Sequence, residues 1–181
     1  MLITKRASLL PLREESGLTL HQPPTPQQAL AALLEQHCPG RILLVGRSAQ
    51  PAIEAYAASH PEVRVDHCEP PALPTEMATQ RYDMAIVVDC LEHLPRHNGR
   101  QLLGGLRNLN SNRLAVLVDL AVADWQLTDF YALALQVSQR FQRDEQTLTL
   151  LSYDLFEYKQ VPNWLNAKFW ANPQNFGKYW W

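Results

Sequence analysis

The 181-residue chain has few of the features that mark a disulfide scaffold, a metal site or a nucleic-acid-binding protein. Its three cysteines include no CxxC pair, so the sequence predicts neither a disulfide framework nor a structural zinc site, and we expect no bound metal. The formal net charge is only -2, which leaves no basic footprint for nucleic acid or for an anionic membrane surface.

Long hydrophobic runs are also missing. No apolar stretch approaches the roughly 20 residues that cross a bilayer, and the N-terminal residues lack the apolar core of a signal peptide. With 46% hydrophobic and 19% charged residues, the composition is that of a folded globular protein. We therefore expect a single cytoplasmic domain over residues 1–181, with an N-terminal arm at 1–24 and a C-terminal tail at 159–181.

Short apolar segments indicate where the strands of a sheet lie. Three runs, Ile42–Val45, Met84–Val88 and Leu114–Val118, are typical of strands that are buried on both faces. Helical patterns alternate with them, and the first helix begins at a capping box formed by Thr25 and Gln28. Strands that alternate with helices predict a parallel sheet with helices packed on both of its faces.

The last part of the chain breaks this alternation. A helix is predicted from about Thr128, and a hairpin near residues 141–153 follows it, with the polar sequence RDEQ at its turn. A short edge strand is also predicted at Leu18–Leu20. The predicted fold class is therefore α/β, a three-layer sandwich whose mostly parallel sheet ends in an antiparallel hairpin.

Residues 82–95, with the sequence YDMAIVVDCLEHLP, contain an apolar strand, an aspartate and then Leu-Glu-His-Leu-Pro. This segment resembles the fourth-strand signature of class I S-adenosylmethionine-dependent methyltransferases, and residues 26–158 are similar to that family. The resemblance implies a Rossmann-like sheet of the methyltransferase type. Only one strand, Val63–His67, fits between the first strand and this segment, where the family has two. We therefore expect a sheet shortened by about one βα unit.

The loop after the first strand departs from the family pattern, which is an acidic residue followed by Gly-x-Gly-x-Gly. The sequence RILLVGRSAQP keeps only the first glycine, Gly46. Leu44 stands where the resemblance would place the acid that receives the amino group of the methionine moiety. The resemblance implies that Gly46, Arg47 and Ser48 contact the cofactor, S-adenosylmethionine, through a weakened set of interactions.

Two acidic residues compete for the next cofactor contact. If the strand Val63–His67 lies beside the first strand, Asp66 or Glu69 would meet the ribose hydroxyls. The sequence EPPALP also resembles the loop after the family's third strand, and in that alignment Glu69 would face the adenine. The sequence leaves these alternatives open.

The fourth-strand segment supplies the remaining site residues. By resemblance, Asp89 and Cys90 lie against the methionine end of the cofactor and His93 lines the substrate side, so Asp89 and His93 are the catalytic candidates. Parallel neighbouring strands end at the same edge of a sheet. We therefore expect these three residues to share one cleft with the loop that begins at Gly46.

The C-terminal tail is rich in aromatic side chains, with seven of them between Trp164 and Trp181. It has no counterpart in the methyltransferase family, which points to a distinct bacterial subfamily. Aromatic-rich segments pack into cores or form interfaces. We expect residues 161–181 either to pack on this domain or to bind a protein partner or a second copy of the chain.

Two functions from different classes agree with these residues. The first is an S-adenosylmethionine-dependent methyltransferase acting on an unidentified substrate. The second is a non-catalytic protein of the same fold, a binding or assembly module, in which Arg47 would favour an anionic metabolite as the small-molecule ligand. The segment from Asp89 to Pro95 keeps the family pattern, and this favours the first function. Leu44 and the missing glycines remove residues that would bind the cofactor, and this favours the second.

Overall fold

The structure is a computed structural model that describes residues 24–71, 73–143, 146–158, 168, 172–175 and 178. Its strands are β1 (Arg41–Val45), β2 (Arg64–Cys68), β3 (Tyr82–Val88), β4 (Ser111–Asp119), β5 (Gln136–Arg143) and β6 (Gln146–Asp154). Its helices are α1 (Pro26–His37), α2 (Pro51–Ser59), α3 (Thr75–Ala78), α4 (Arg96–Gly105), α5 (Leu127–Ala132) and α6 (Leu155–Tyr158). The strand predicted at Leu18–Leu20 and nearly all of the aromatic tail lie outside the described residues.

The strands form one six-stranded sheet in the order β2-β1-β3-β4-β6-β5. The strands β2, β1, β3 and β4 are mutually parallel, while β6 is antiparallel to both β4 and β5. The predicted α/β fold class with a terminal antiparallel hairpin is therefore confirmed. A single strand, β2, precedes β3 after β1 in the described chain, as the predicted shortening requires.

Helices cover both faces of the sheet and make three layers. On one side, which we call the α4 face, helices α4 and α5 bury a cluster that includes Tyr82, Leu103 and Phe130. On the other side, the α1 face, helices α1 and α2 bury a second cluster that includes Leu30 and Ile86. Within the described residues, no helix has the length and apolar character needed to span a membrane.

Local hydrogen bonds fix where α1 begins and where β1 starts. The predicted capping box is present, since the Thr25 hydroxyl accepts from the Gln28 amide and the Gln28 side chain accepts from the Thr25 amide. At the start of β1, the Asp83 carboxylate accepts the backbone N–H groups of Gly40 and Arg41 at 3.0 and 2.9 Å. Because Asp83 belongs to β3, these bonds align β1 with its central neighbour.

The hairpin is longer, and the helix before it shorter, than the sequence indicated. Helix α5 is capped by Gln126 rather than near Thr128 and ends at Ala132, and Ala134 then takes a left-handed φ of 60°. Strand β5 starts at residue 136 instead of near 141, and Val137 pairs with Leu151 of β6. Cross-strand pairing and burial of the Leu135 side chain outweigh the helical pattern of this segment.

Candidate functional site

The ends of β1 and β3 form a crevice at the carboxyl edge of the sheet. These strands are parallel neighbours, but the chain leaves them in opposite directions. After β1 it enters α2 on the α1 face, and after β3 it enters α4 on the α4 face. Ligands of open α/β sheets bind where the connections diverge in this way, so the topology alone marks this crevice as the candidate site.

The two strand ends approach each other closely at Gly46. A Cβ atom added to this glycine would lie 1.8 Å from the carbonyl oxygen of Val88, the last residue of β3. Any other residue would have to push the two backbones apart, so the loop after β1 can reach the end of β3 only with glycine here. The residues that follow Gly46 and Val88 are thereby brought together.

Asp89 is the centre of a side-chain cluster in this crevice. Its carboxylate accepts a hydrogen bond from the Ser48 hydroxyl at 2.5 Å and contacts His93 Nε2 at 2.9 Å. The bond from Ser48, and secondarily the bond and charge of His93, hold the pKa of Asp89 below its usual value although partial burial opposes this. Asp89 also has a left-handed φ of 50°, a conformation uncommon outside glycine that clusters at functional sites.

Glu92 ties the ends of β3 and β4 together. One of its carboxylate oxygens accepts the Cys90 backbone N–H at 3.1 Å, and the other accepts the Asp119 backbone N–H at 2.9 Å. Asp119 is itself 6% exposed and accepts the Ala121 N–H. The sequence reasoning missed Asp119, although it follows the apolar run of β4 in the same way as Asp89 follows that of β3.

A cavity of about 1000 Å³ opens beside this cluster on the α1 face. Five segments distant in sequence line it: the start of α1, the loop between β1 and α2, the residues after β3, the end of β4, and the hairpin of β5 and β6. Ser48, Asp89 and His93 are the predicted site residues that reach it. Sequence reasoning missed the hairpin wall, because no local pattern shows which strand of a sheet will face a distant loop.

The cavity carries more negative than positive charge. Among the described residues that line it are three carboxylates, those of Asp89, Glu92 and Asp119, against one arginine, Arg140. Arg140 is exposed on the edge strand β5, whereas Asp119 is buried. The lining therefore suits a cationic or neutral group better than an anion.

Arg47 does not contribute to this cavity. It is exposed, and within the described chain it lies in no ion pair with Asp89 or another carboxylate at 4.0 Å or less. An anionic metabolite held by Arg47 is therefore not favoured. The guanidinium still acts at longer range, as a minor cause of the lowered pKa of Asp89.

Cys90 is fully buried, and burial raises the pKa of its thiol to about 12. A protonated, enclosed thiol is a poor nucleophile, so Cys90 contributes its backbone N–H rather than its sulfur. Gly46 likewise shapes the crevice through its backbone.

The two acids near β2 differ in what they touch. Strand β2 is hydrogen-bonded directly to β1, with Asp66 opposite Leu43. The Asp66 carboxylate accepts the Tyr82 hydroxyl at 2.9 Å and lies 3.5 Å from the Arg41 guanidinium. Glu69, in contrast, is exposed directly after β2, whose last residue accepts the Gly46 N–H. Of the two, Glu69 is the one placed at the carboxyl edge.

Among the described residues, no three histidine, cysteine or acidic side chains are arranged so that they could hold a metal ion. His93 and His97 stand four residues apart in sequence, but they belong to different elements. His93 ends a 3-10 turn, whereas His97 lies on α4.

Residues 24–181 match the sequence model of a family described as a family of unknown function, DUF6231. The chain belongs to this family. No curated protein matches it. The family description assigns no activity.

Solved structures show the same fold. A Nostoc punctiforme protein classed as an O-methyltransferase aligns with a TM-score of 0.51 and 12% identity over 71% of this chain and 56% of its own. Mitomycin 7-O-methyltransferase aligns with a TM-score of 0.50 and 13% identity over 68% of this chain and 51% of its own. Magnesium protoporphyrin IX methyltransferase from Synechocystis, solved with bound S-adenosylmethionine, aligns with a TM-score of 0.46 and 16% identity. The alignment covers 70% of this chain and 76% of that protein. The first two alignments show that the chain has a methyltransferase-type fold, and it spans about half the length of those two proteins.

Proposed function

We propose that this protein binds S-adenosylmethionine in the crevice between β1 and β3 and acts as a methyltransferase. The observation that carries the proposal is the convergence of Ser48, Asp89 and His93 on one acid-lined cavity at the point where the helix connections diverge. The sulfonium and ammonium groups of this cofactor are cationic, and the excess of carboxylates in the cavity suits them.

Asp89 takes over the role of the missing acid. Leu44 is buried in the α1-face core and offers no acceptor, so the ammonium of the methionine moiety needs another carboxylate. Asp89 accepts two hydrogen bonds from side chains, and a carboxylate has capacity for about four. Its lowered pKa keeps it anionic.

The remaining contacts follow from position. Glu69 would meet the ribose hydroxyls, because β2 lies beside β1 and Glu69 is exposed at the carboxyl edge. We assign Asp66 a structural role, since it is held by Tyr82 and Arg41. The Ser48 hydroxyl would keep Asp89 oriented. Arg47 does not line the cavity, so we assign it no contact with the cofactor.

His93 is the candidate general base. It lines the cavity, and its contact with Asp89 at 2.9 Å orients the imidazole ring. Methyl transfer depends mainly on alignment and on the exclusion of water. A single general base near the acceptor is therefore enough for the reaction.

A second candidate is a non-catalytic module of the same fold that binds this cofactor only weakly. Leu44 and the loss of two loop glycines support it, because they remove contacts that the family normally makes with the cofactor. Titration of the full chain with S-adenosylmethionine and S-adenosylhomocysteine by calorimetry tests the shared binding step. We expect both to bind and Asp89→Asn to weaken binding about tenfold or more, because a charged hydrogen bond is lost. Glu54→Gln, an exposed carboxylate on α2, is the matched control. No heat at millimolar ligand would refute both candidates.

A further inference from the structure

We propose that the outer part of the cavity holds the methyl acceptor, and that this acceptor is a small, largely apolar molecule with a cationic or neutral donor group rather than an anion. The acceptor role rests on the proposed function. The class of ligand rests only on the cavity and does not depend on the proposed function.

The walls of the outer cavity are largely apolar. Leu117 of β4, Leu148 of β6 and Phe141 of β5 present side chains from the α1 face of the sheet, and Val122 lies at the mouth with most of its surface exposed. Pockets for small molecules are built in this way, from apolar walls with a few convergent polar groups. A volume of about 1000 Å³ leaves room for a ring-sized molecule beside a ligand at Asp89.

Two acids at the inner end, Glu92 and Asp119, have no cationic side-chain partner among the described residues. Glu92 accepts only the backbone N–H groups of Cys90 and Asp119 in the described structure. One oxygen of Asp119 accepts the Ala121 N–H, and its other oxygen has no protein partner within that part of the chain. A ligand that donates a hydrogen bond, above all a cationic amine, would satisfy this oxygen.

An anionic ligand would meet the opposite situation. The arginine among the described lining residues, Arg140, is exposed on the edge strand β5 and so can offer its charge only at the rim. A carboxylate or phosphate seated against Leu117 and Phe141 would instead approach Asp119 and Glu92. Like charges placed close together oppose binding. Nucleotides and other phosphorylated acceptors are therefore excluded from this class.

Two probes with the same ring and opposite charge test the inference: tyramine and 4-hydroxyphenylacetate. Their binding to the full chain is measured by ligand-observed NMR titration, with and without saturating S-adenosylhomocysteine. We expect tyramine to bind at least about tenfold more tightly than the anion. Asp119→Asn keeps the oxygen that accepts from Ala121 but removes the charge, and it should reduce this preference to within about threefold. Asp124→Asn, an exposed acid of the same loop, should leave it unchanged.

A third variant, Leu148→Trp, fills the cavity from the hairpin side. It should abolish tyramine binding and leave S-adenosylhomocysteine binding intact; if it fails to fold, Asp119→Asn decides alone. Equal or tighter binding of 4-hydroxyphenylacetate, or no binding of either ring compound, would overturn the inference. A tyramine preference in a protein that ignores S-adenosylhomocysteine would support the ligand class and refute the proposed cofactor. Binding of S-adenosylhomocysteine with no preference for tyramine would support the proposed cofactor and refute the ligand class.

Discussion

The two faces of the sheet are filled in different ways. On the α4 face, α4 and α5 pack over a core whose large side chains, such as Tyr82 and Phe130, are almost fully buried. On the α1 face, α1 and α2 pack over the β1 side of the sheet, and the 1000 Å³ cavity opens toward the hairpin, beside Phe141 and Leu148. The contrast indicates that packing on the α4 face stabilises the domain, while incomplete filling of the α1 face leaves room for a ligand.

The largest expected effect tests this contrast with two identical substitutions. Phe130→Ala on the α4 face should lower the free energy of unfolding by about 3–5 kcal/mol, because a fully buried ring leaves a cavity that cannot collapse. Phe141→Ala should cost about half as much or less, since its ring already borders open space. Urea unfolding followed by circular dichroism measures both. Equal losses would show that the hairpin face is as tightly packed as the α4 face.

A smaller effect tests the close approach at the crevice. Gly46→Ala should destabilise the protein by about 1–3 kcal/mol, since the new Cβ would clash with the Val88 carbonyl and push β1 and β3 apart. Gly105→Ala is the control. Gly105 is the last residue of α4, and a Cβ added there would have no atom within 4 Å apart from its chain neighbours and the backbone of its own helix. Alanine at this position should therefore leave the stability unchanged or raise it by about 0.5–1 kcal/mol. A Gly46 variant as stable as wild type would contradict the packing described.

The smallest expected effect concerns pH and Asp89. Its folded-state pKa is lowered, so the stabilisation that it contributes is present above the pKa of the unfolded chain, about 3.9, and is lost as the pH falls through the folded value. The Asp89 side chain is 38% exposed, so solvent screening should keep this contribution below about 1 kcal/mol.

Ser48→Ala removes the main cause of that shift and should raise the pKa of Asp89 toward its ordinary value. The carbon-13 chemical shift of the carboxylate, followed through an acid titration, reports this directly. Ser59→Ala, whose hydroxyl bonds only within α2 in the described structure, should leave the titration unchanged. An unmoved Asp89 in the Ser48 variant would show that Ser48 does not control its charge.

Sequence patterns were enough to predict the central sheet and part of the site. The apolar runs of β1, β3 and β4 are buried on both faces, and parallel pairing of β1 with β3 brings Ser48 to Asp89 as expected. The start of β5 could not be predicted, because its pairing with β6 depends on contacts that no local period encodes. The cavity was missed for the same reason.

The alternatives for the acids near β2 depended on topology rather than on composition. The sequence allowed Asp66 or Glu69, and pairing of β2 with β1 places Asp66 within the strand, bonded to Tyr82. Leu44 is a case in which the sequence showed the departure from the family pattern but not what compensates for it. Its mismatch with the family pattern was visible in the sequence, but only the structure shows that Asp119 joins Asp89 as a carboxylate lining the cavity.

Hydrogen exchange with and without S-adenosylhomocysteine tests the central claim most directly, because it reports where the ligand lies. We expect added protection in the loop after β1, residues 46–50, and in residues 89–94 after β3, with little change in α4-face segments such as α5. Asp89→Asn at the same ligand concentration should lose most of that protection. Protection confined to regions away from these two loops, or none at a saturating concentration, would contradict the account.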